Sequence, residues 1–381
     1  MAELKVGIDY RPALILKSGI GRYVANLVRH LPEADEELHL ALFSVFWEKH
    51  AERLERAWLP ESERVELVTK KFPGRILNFL GKFTPLSVET WADELDLFHF
   101  TDYVHLPVKT EPIVFTLHDL AFLRSEDFHP SGDTKQLTAV TSQLAQRAAA
   151  VIAVSEATKK DAIELLNVPE ERIVVTPLGV DETFFSQAPR SLQNPPAIVS
   201  VGTLEPRKNH LRLIEAFEVV MERGIDAKLI LAGRKGWMCD DVLKKLEDET
   251  LQGRVIWLGE VSEVQLTALY RSASVVAYPS LWEGFGLPVL EAMAAGAPVL
   301  TSDRGAMKEV AGDAALVVDP ESVEALADGL TRLLEDAALR DELAAKGRRR
   351  AREFTWARTA EETVKAYRLA IELGPPEAPE S

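Results

Sequence analysis

Short runs of apolar and β-branched residues alternate along the chain with longer stretches whose apolar positions recur at helical spacing. "KVGIDY" opens with a strand pattern, and Ile20 to Leu31 ("IGRYVANLVRHL") follows with apolar residues every three or four positions, one face of a helix. "LHLALFSV", "LDLFHF", "PIVFTLHDL", "AAVIAVS" and "RIVVTPLG" predict further strands in the first half. The second half restarts: "AIVSVG" as strand, "LRLIEAFEVVMERG" as helix, "AKLILAG" as strand, "VQLTALYRSA" as helix and "SVVAYPS" as strand. Such alternation predicts an α/β fold with parallel sheets built from βαβ units.

Between Ser186 and Pro196 ("SQAPRSLQNPP") the apolar pattern lapses into Pro, Ser, Gln and Asn, which reads as a linker. A chain of 381 residues is also long for one hydrophobic core. Two Rossmann-like domains, residues 1–188 and 189–355, are therefore expected to face each other across a central cleft. A last helix is expected over 356–373 and a disordered tail over 374–381 ("GPPEAPES"). Ligands of open α/β sheets bind beyond the carboxyl ends of the strands, so the loops directly after strands are the informative ones.

Composition narrows the function class. The chain is 46% hydrophobic and 27% charged, the balance of a soluble globular protein. Its 60 acidic against 44 basic residues leave a net charge of −16, which disfavours a nucleic-acid partner. A single cysteine, Cys239, excludes an internal disulfide and a Cys-based zinc cluster. "MAELKVGIDY" lacks the basic start and apolar core of a signal peptide, and no apolar run reaches about 18 residues. A cytoplasmic protein is expected. One segment runs against the acidic background: residues 69–83 ("TKKFPGRILNFLGKF") carry Lys70, Lys71, Arg75 and Lys82 among apolar residues. It is a candidate contact with the inner face of a membrane, or an ordinary packing helix with solvated lysines.

The chemistry concentrates after two strands of the second half. "SLWEGFGLPVLEAMAAGAPVLTS" follows the strand "SVVAYPS" and holds Glu283 and Glu291 around Gly284-Phe285-Gly286-Leu287. Pro288 suits the first helical position, and Gly296 the residue just past the helix end. The amides near Gly286 and Leu287 then form a helix tip that attracts anions. Two glutamates beside such a tip fit a ligand that presents hydroxyls there while its phosphates are neutralised elsewhere. The neutralising groups are Arg207 and Lys208 in "SVGTLEPRKNHLRLIEAF", after a strand and before a helix for which Asn209 is the expected N-cap. The plain alternatives are a first-turn acid complementing the helix dipole, a solvated Glu283 and a surface basic pair. A diphosphate gripped by Arg and Lys, with hydroxyls held by glutamates, describes a nucleotide sugar.

These segments carry a family. "EGFGLPVLEAMAAGAPVL" with "GTLEPRKNH" resembles the retaining glycosyltransferases of family 4, which have the GT-B fold of two doubly wound domains. "SGIGRYVANL" is similar to that family's glycine loop, "TLHDL" to its histidine segment and "VIAVSEATKKDAIELLNVPEERIVVTPLGVD" to the end of its first domain. "FTWARTAEETVKAYRLA" looks like its C-terminal helix, which packs back toward the first domain. The likeness spans about residues 4–372. It implies that Glu283 contacts donor-sugar hydroxyls, Glu291 holds the ribose, and Arg207 and Lys208 bind the diphosphate. Gly19 would let backbone approach the phosphates and the acceptor, and His118 would contact the transferred sugar near its reacting carbon. The stretch containing Val261 would border the base, although Ser262-x-x-Gln265 there is also a capping box.

The expected activity is transfer of a hexose, mannose or glucose first, from a GDP- or UDP-linked donor to a saccharide or lipid-linked acceptor. The resemblance implies retention of configuration, with no metal or cofactor. An epimerase or phosphorylase of the same fold is an alternative, as is a non-catalytic sugar-nucleotide-binding module. A dinucleotide dehydrogenase fits worse, because "SGIGRYV" offers only part of a G-x-G-x-x-G fingerprint.

Overall fold

A computed structural model describes residues 3–15, 19–47, 49–55, 59–73, 76–77, 87–92, 94–103, 106–185 and 190–376. The chain divides into two compact units. Unit 1 takes residues 1–120, 135–179 and 356–381, and unit 2 takes residues 121–134 and 180–355. Part of the expected linker (186–189), the end of the tail (377–381) and Arg75 with residues 78–83 of the basic segment lie outside the described residues.

Unit 1 is built on strands β1 (Leu4–Asp9), β2 (Leu38–Val45), β3 (Val65–Lys70), β4 (Leu97–Phe100), β5 (Ile113–Leu117), β6 (Ala150–Ala153) and β7 (Ile173–Val175). They form a seven-stranded sheet in the order β3-β2-β1-β4-β5-β6-β7, with every described pairing parallel. Every residue of β4, β5 and β6 is buried, as expected where helices cover both faces, and so these strands read as continuous apolar runs. The "RIVVTPLG" run yields only three strand residues before Pro177. The helix Gly19–Ala34 turns one face inward through Tyr23, Val24, Leu27, Val28 and Leu31. The helix Trp356–Leu373 packs on it and across β4 to β7, burying Ala360, Ala366, Tyr367 and Ala370. Within the basic segment, Leu77 is buried and the Phe72 ring lies 6.2 Å from that of Trp91, so these residues pack inward.

Unit 2 repeats the plan with β8 (Ala197–Val201), β9 (Lys228–Ala232), β10 (Val255–Trp257), β11 (Val275–Tyr278), β12 (Val299–Ser302) and β13 (Leu316–Val318). The order is β10-β9-β8-β11-β12-β13, again parallel. Ile198, Leu213, Phe217, Leu231, Val275 and Leu330 belong to its buried core. Residues 121–134 join this unit, a return that no apolar periodicity signals. Side chains hold them there: Trp237 Nε1 donates to the Phe128 carbonyl at 2.9 Å, its ring stacks on His129 at 5.0 Å, and Arg124 lies 5.0 Å over the Trp282 ring.

In each sheet the strand order reverses once, between β1 and β4 in unit 1 and between β8 and β11 in unit 2. The carboxyl ends flanking such a reversal leave a crevice in which doubly wound sheets bind ligands.

Candidate active site

In unit 2 the two loops flanking the reversal are the ones that carry the charged motifs. After β8 the chain makes one 3₁₀ turn, Pro206–Lys208. Asn209 then enters the left-handed region at φ 61°. It does not cap the following helix with its side chain as expected. Its amide donates instead to the carbonyls of Pro279 and Pro320, at 3.1 and 2.7 Å. Short polar side chains tolerate this conformation, and here the amide ties the loop after β8 to the loop after β11.

The tie brings Arg207 and Lys208 onto Glu283. Arg207 Nη1 donates to Glu283 Oε2 at 2.7 Å and to the Trp282 carbonyl at 3.0 Å, while Nη2 donates to Glu205 Oε1 at 2.9 Å. Glu283 Oε1 accepts from Lys208 Nζ at 2.5 Å, from Ser280 Oγ at 2.8 Å and from Tyr278 OH at 3.0 Å. Glu283 is only 7% exposed. Burial alone raises its pKa, but the charges of Arg207 and Lys208 outweigh it and hold the carboxyl down at about 2. For Lys208, burial and Arg207 act downward, but Glu283, Tyr278 and Glu205 together outweigh them and raise its pKa, so the ammonium stays charged. Lys208 Nζ spends two of its three N–H groups, on Glu283 and on Tyr278 OH at 2.7 Å. Glu283 Oε1 is crowded with three donors, whereas Oε2 carries one and keeps capacity for a ligand hydroxyl. Glu205, Tyr278 and Ser280 are site residues that the sequence reading missed. Their signal was position, directly after β8 and at the end of β11.

The second glutamate stands apart from this cluster. The helix Leu287–Ala294 starts at Leu287, so Pro288 is its second residue rather than its first. Gly286 precedes it at φ 99°, a left-handed conformation that favours glycine, and a Cβ there would lie 2.1 Å from Met307 Cε and force that side chain to move. Gly296 at φ 76° closes the helix as expected: its N–H bonds the Met293 carbonyl and that of Ala297 the Ala292 carbonyl, both at 2.9 Å. Glu291 is 2% exposed and accepts from Tyr270 OH at 3.0 Å. Gly284, Phe285 and Leu287 are buried, the Phe285 ring lying 5.9 Å from Phe354. Val261 is half-buried and lines a groove of about 820 Å³ with Leu258, Glu260 and Gln265. The neighbouring capping box is formed: Ser262 N donates to Gln265 Oε1 at 2.8 Å, and Gln265 N to Ser262 Oγ at 3.3 Å.

In unit 1, His118 follows β5 and is 9% exposed. Its Nε2 lies 2.9 Å from the Thr101 carbonyl, an acceptor only, so Nε2 bears the proton and a neutral ring presents Nδ1 as an acceptor. Burial holds the His118 pKa down. Gly19 opens its helix at an exposed position. Beside His118 stands Asp102, which in turn neighbours Asp9 and Arg11, none of them singled out by the sequence. Among the described residues, no group of three or more His, Cys, Asp or Glu could hold a metal ion, and no helix is long and apolar enough to cross a membrane.

Comparison with known proteins identifies the family and the fold. The family model "Glycosyltransferase Family 4" matches residues 17–184, and "Glycosyl transferases group 1" matches residues 181–350. The O-antigen chain mannosyltransferase B of Escherichia coli is 32% identical over 96% of this chain and 100% of its own length. The chain belongs to glycosyltransferase family 4. Among solved structures, sucrose-phosphate synthase from Thermosynechococcus elongatus superposes on this glycosyltransferase with a TM-score of 0.73 at 19% identity, covering 96% of this chain and 98% of the other. Anabaena HepE, in complex with UDP and glucose, gives 0.72 at 21% identity, covering 96% and 99%. Both place the enzyme in the GT-B fold, and the family makes it a transferase with a nucleotide-sugar donor.

Proposed function

We propose that this enzyme moves a hexose, mannose first among the candidates, from a nucleoside-diphosphate sugar to a saccharide or lipid-linked saccharide acceptor, with retention and without a metal. The supporting observation is the Arg207–Glu283–Lys208 cluster at the reversal between β8 and β11, followed by the Gly286 helix tip. Mannose is favoured by the E. coli relative, whose activity is mannosyl transfer.

Transfer develops positive charge on the sugar and negative charge on the departing diphosphate. Fixed cations and N–H dipoles aimed at the leaving group lower that barrier most. Arg207 and Lys208 are suited to it because Glu283 locks their positions before the donor arrives. The tip at Gly286 and Leu287 adds backbone dipoles without further charge. Glu283, held ionised and gripped by two cations, is a poor nucleophile and a poor proton donor, so it serves the donor as a hydroxyl acceptor through Oε2. The spacing of Glu283 and Glu291 thus differs in purpose from a hydrolase carboxylate pair. Family resemblance supplies the remainder: front-face attack by the acceptor, with the leaving phosphate taking its proton.

Arg207→Ala or Lys208→Ala is expected to lower kcat by about 10²–10³-fold with the fold retained by circular dichroism. Near-normal turnover by both purified variants refutes the leaving-group role. A panel of GDP- and UDP-sugars, scored by thermal shift, identifies the donor, and stabilisation by none of them removes the proposal.

A further inference from the structure

The second reversal, between β1 and β4 in unit 1, has the same topology as the donor site and holds a polar cluster around His118 in which Asp102 has no role in the donor reading above. Three strand ends meet there through Thr101. Its Oγ1 donates to the Asp9 carbonyl at the end of β1 at 2.6 Å, and its carbonyl accepts His118 Nε2 from the end of β5 at 2.9 Å. Tyr103 clamps the same place, its hydroxyl donating to the Asp119 carbonyl and accepting from Asp119 N, both at 2.8 Å. Between Thr101 and Tyr103 stands Asp102, only 9% exposed. Its Oδ1 accepts from Tyr103 N at 2.7 Å, and no hydrogen bond to Oδ2 forms among the described residues. Neither Asp102 Oδ2 nor His118 Nδ1 is among the sealed, unpartnered polar atoms of the interior. A carboxylate oxygen that is open to solvent on so buried a residue, and without a partner among the described residues, can take a donor from a ligand.

We infer that Asp102 binds a hydroxyl of the acceptor and selects acceptors that are neutral at that point. The inference rests on the glycosyltransferase reading above and names the acceptor's chemistry. Charge supports it. The cation nearest at hand, Arg11, is committed to Asp9, with Nε to Oδ1 at 2.8 Å and Nη2 to Oδ2 at 2.6 Å. Asp9, 0% exposed, takes the guanidinium's hydrogen bonds, and for Asp102 burial outweighs what His118 and Arg11 offer and pushes the carboxyl up, so its charge is only partly compensated. A phosphate or carboxylate placed against it would be repelled, whereas a sugar hydroxyl donates to it. A neutral His118 offers a second acceptor at Nδ1, so the pair suits a polyol rather than an anion.

The test uses the full chain with its donor. Probes are methyl α- and β-glycosides of mannose, glucose, galactose and N-acetylglucosamine, with mannose 6-phosphate as the anionic arm. Donor affinity is read by calorimetry and transfer by acceptor kinetics. Asp102→Asn is expected to raise acceptor KM about 10–100-fold, the worth of one hydrogen bond to a charged group. Donor affinity should stay within about twofold, because Arg207, Lys208 and Glu283, which grip the donor, lie in unit 2. Preference for neutral over phosphorylated acceptor should shrink, a change that a merely structural residue would not produce. Asp102→Glu, which keeps the charge and displaces the oxygen, should retain that preference with weaker binding, and it serves if the Asn variant folds poorly. Unchanged acceptor KM in Asp102→Asn overturns the inference. So does a parallel loss of donor affinity, which would assign Asp102 to the donor, and so does a wild-type enzyme that binds donor yet glycosylates none of the neutral probes. A wild-type protein that binds no nucleotide sugar overturns instead the reading of unit 2, on which this one depends.

Discussion

Lys208 and Glu283 show what a single side chain is worth in this site. With Lys208 replaced by Met, Glu283 keeps Arg207 but loses its 2.5 Å partner in a place almost closed to water. The loss is expected to be on the order of 1.5–3 kcal/mol of unfolding free energy. Glu283→Gln added to that background should recover part of it, because a neutral amide no longer needs the cation. Urea titrations of both single variants and the double variant measure this. Strict additivity would mean that the two groups are not energetically coupled in the folded enzyme.

At the scale of elements, the turn into the Leu287–Ala294 helix depends on one backbone conformation. Gly286→Ala forces a side chain to φ 99° and into Met307. A destabilisation of about 1–2 kcal/mol is expected from the left-handed backbone alone. Shortening Met307 to Ala alongside should relieve the collision but leave that backbone term, so thermal unfolding of the pair should recover only partly. Full recovery would locate the whole effect in packing. This turn was legible in the sequence, because Gly-Leu-Pro after a buried strand and Gly296 before Pro298 are local signals. Arg207, Lys208 and Glu283 were legible for the same reason, each lying just past a strand. Asp9, Arg11 and Asp102 were not. Asp9 and Asp102 meet only because β4 lies beside β1, and sheet order is a long-range property that no local pattern encodes. The amide of Asn209 was misread in the same way, since its partners Pro279 and Pro320 are distant in sequence.

At the scale of the whole molecule, His99 in unit 1 and His210 in unit 2 join His118 as buried neutral histidines among the described residues, and they bear on acid tolerance. Burial drives both His99 and His210 down from 6.5 to about 3, and His118 beside the first and Lys208 beside the second oppose a further proton. Above pH 6.5 neither imidazole is protonated in either state. Between pH 6.5 and about 3 the unfolded chain takes up a proton at each, the native chain takes up neither, and stability falls with pH by up to about 1.4 kcal/mol per unit per histidine. The carboxyl of Glu283 works in the same direction only lower down: its contribution is present above 4.5 and is lost as pH falls toward about 2. Replacing both His99 and His210 by Gln should flatten the decline in Tm between pH 6.5 and 4.5. A slope equal to that of the parent would assign acid sensitivity to other groups. Unit 1 has a further dependence, on the order in which the ribosome makes it. The Tyr367 hydroxyl, 2.9 Å from His99 Nδ1, sits on a helix that follows all of unit 2 in the chain. Domains fold as they emerge during synthesis, so unit 2 is translated entire while His99 still waits for its partner, and the first part of the enzyme to be made is the last to be finished.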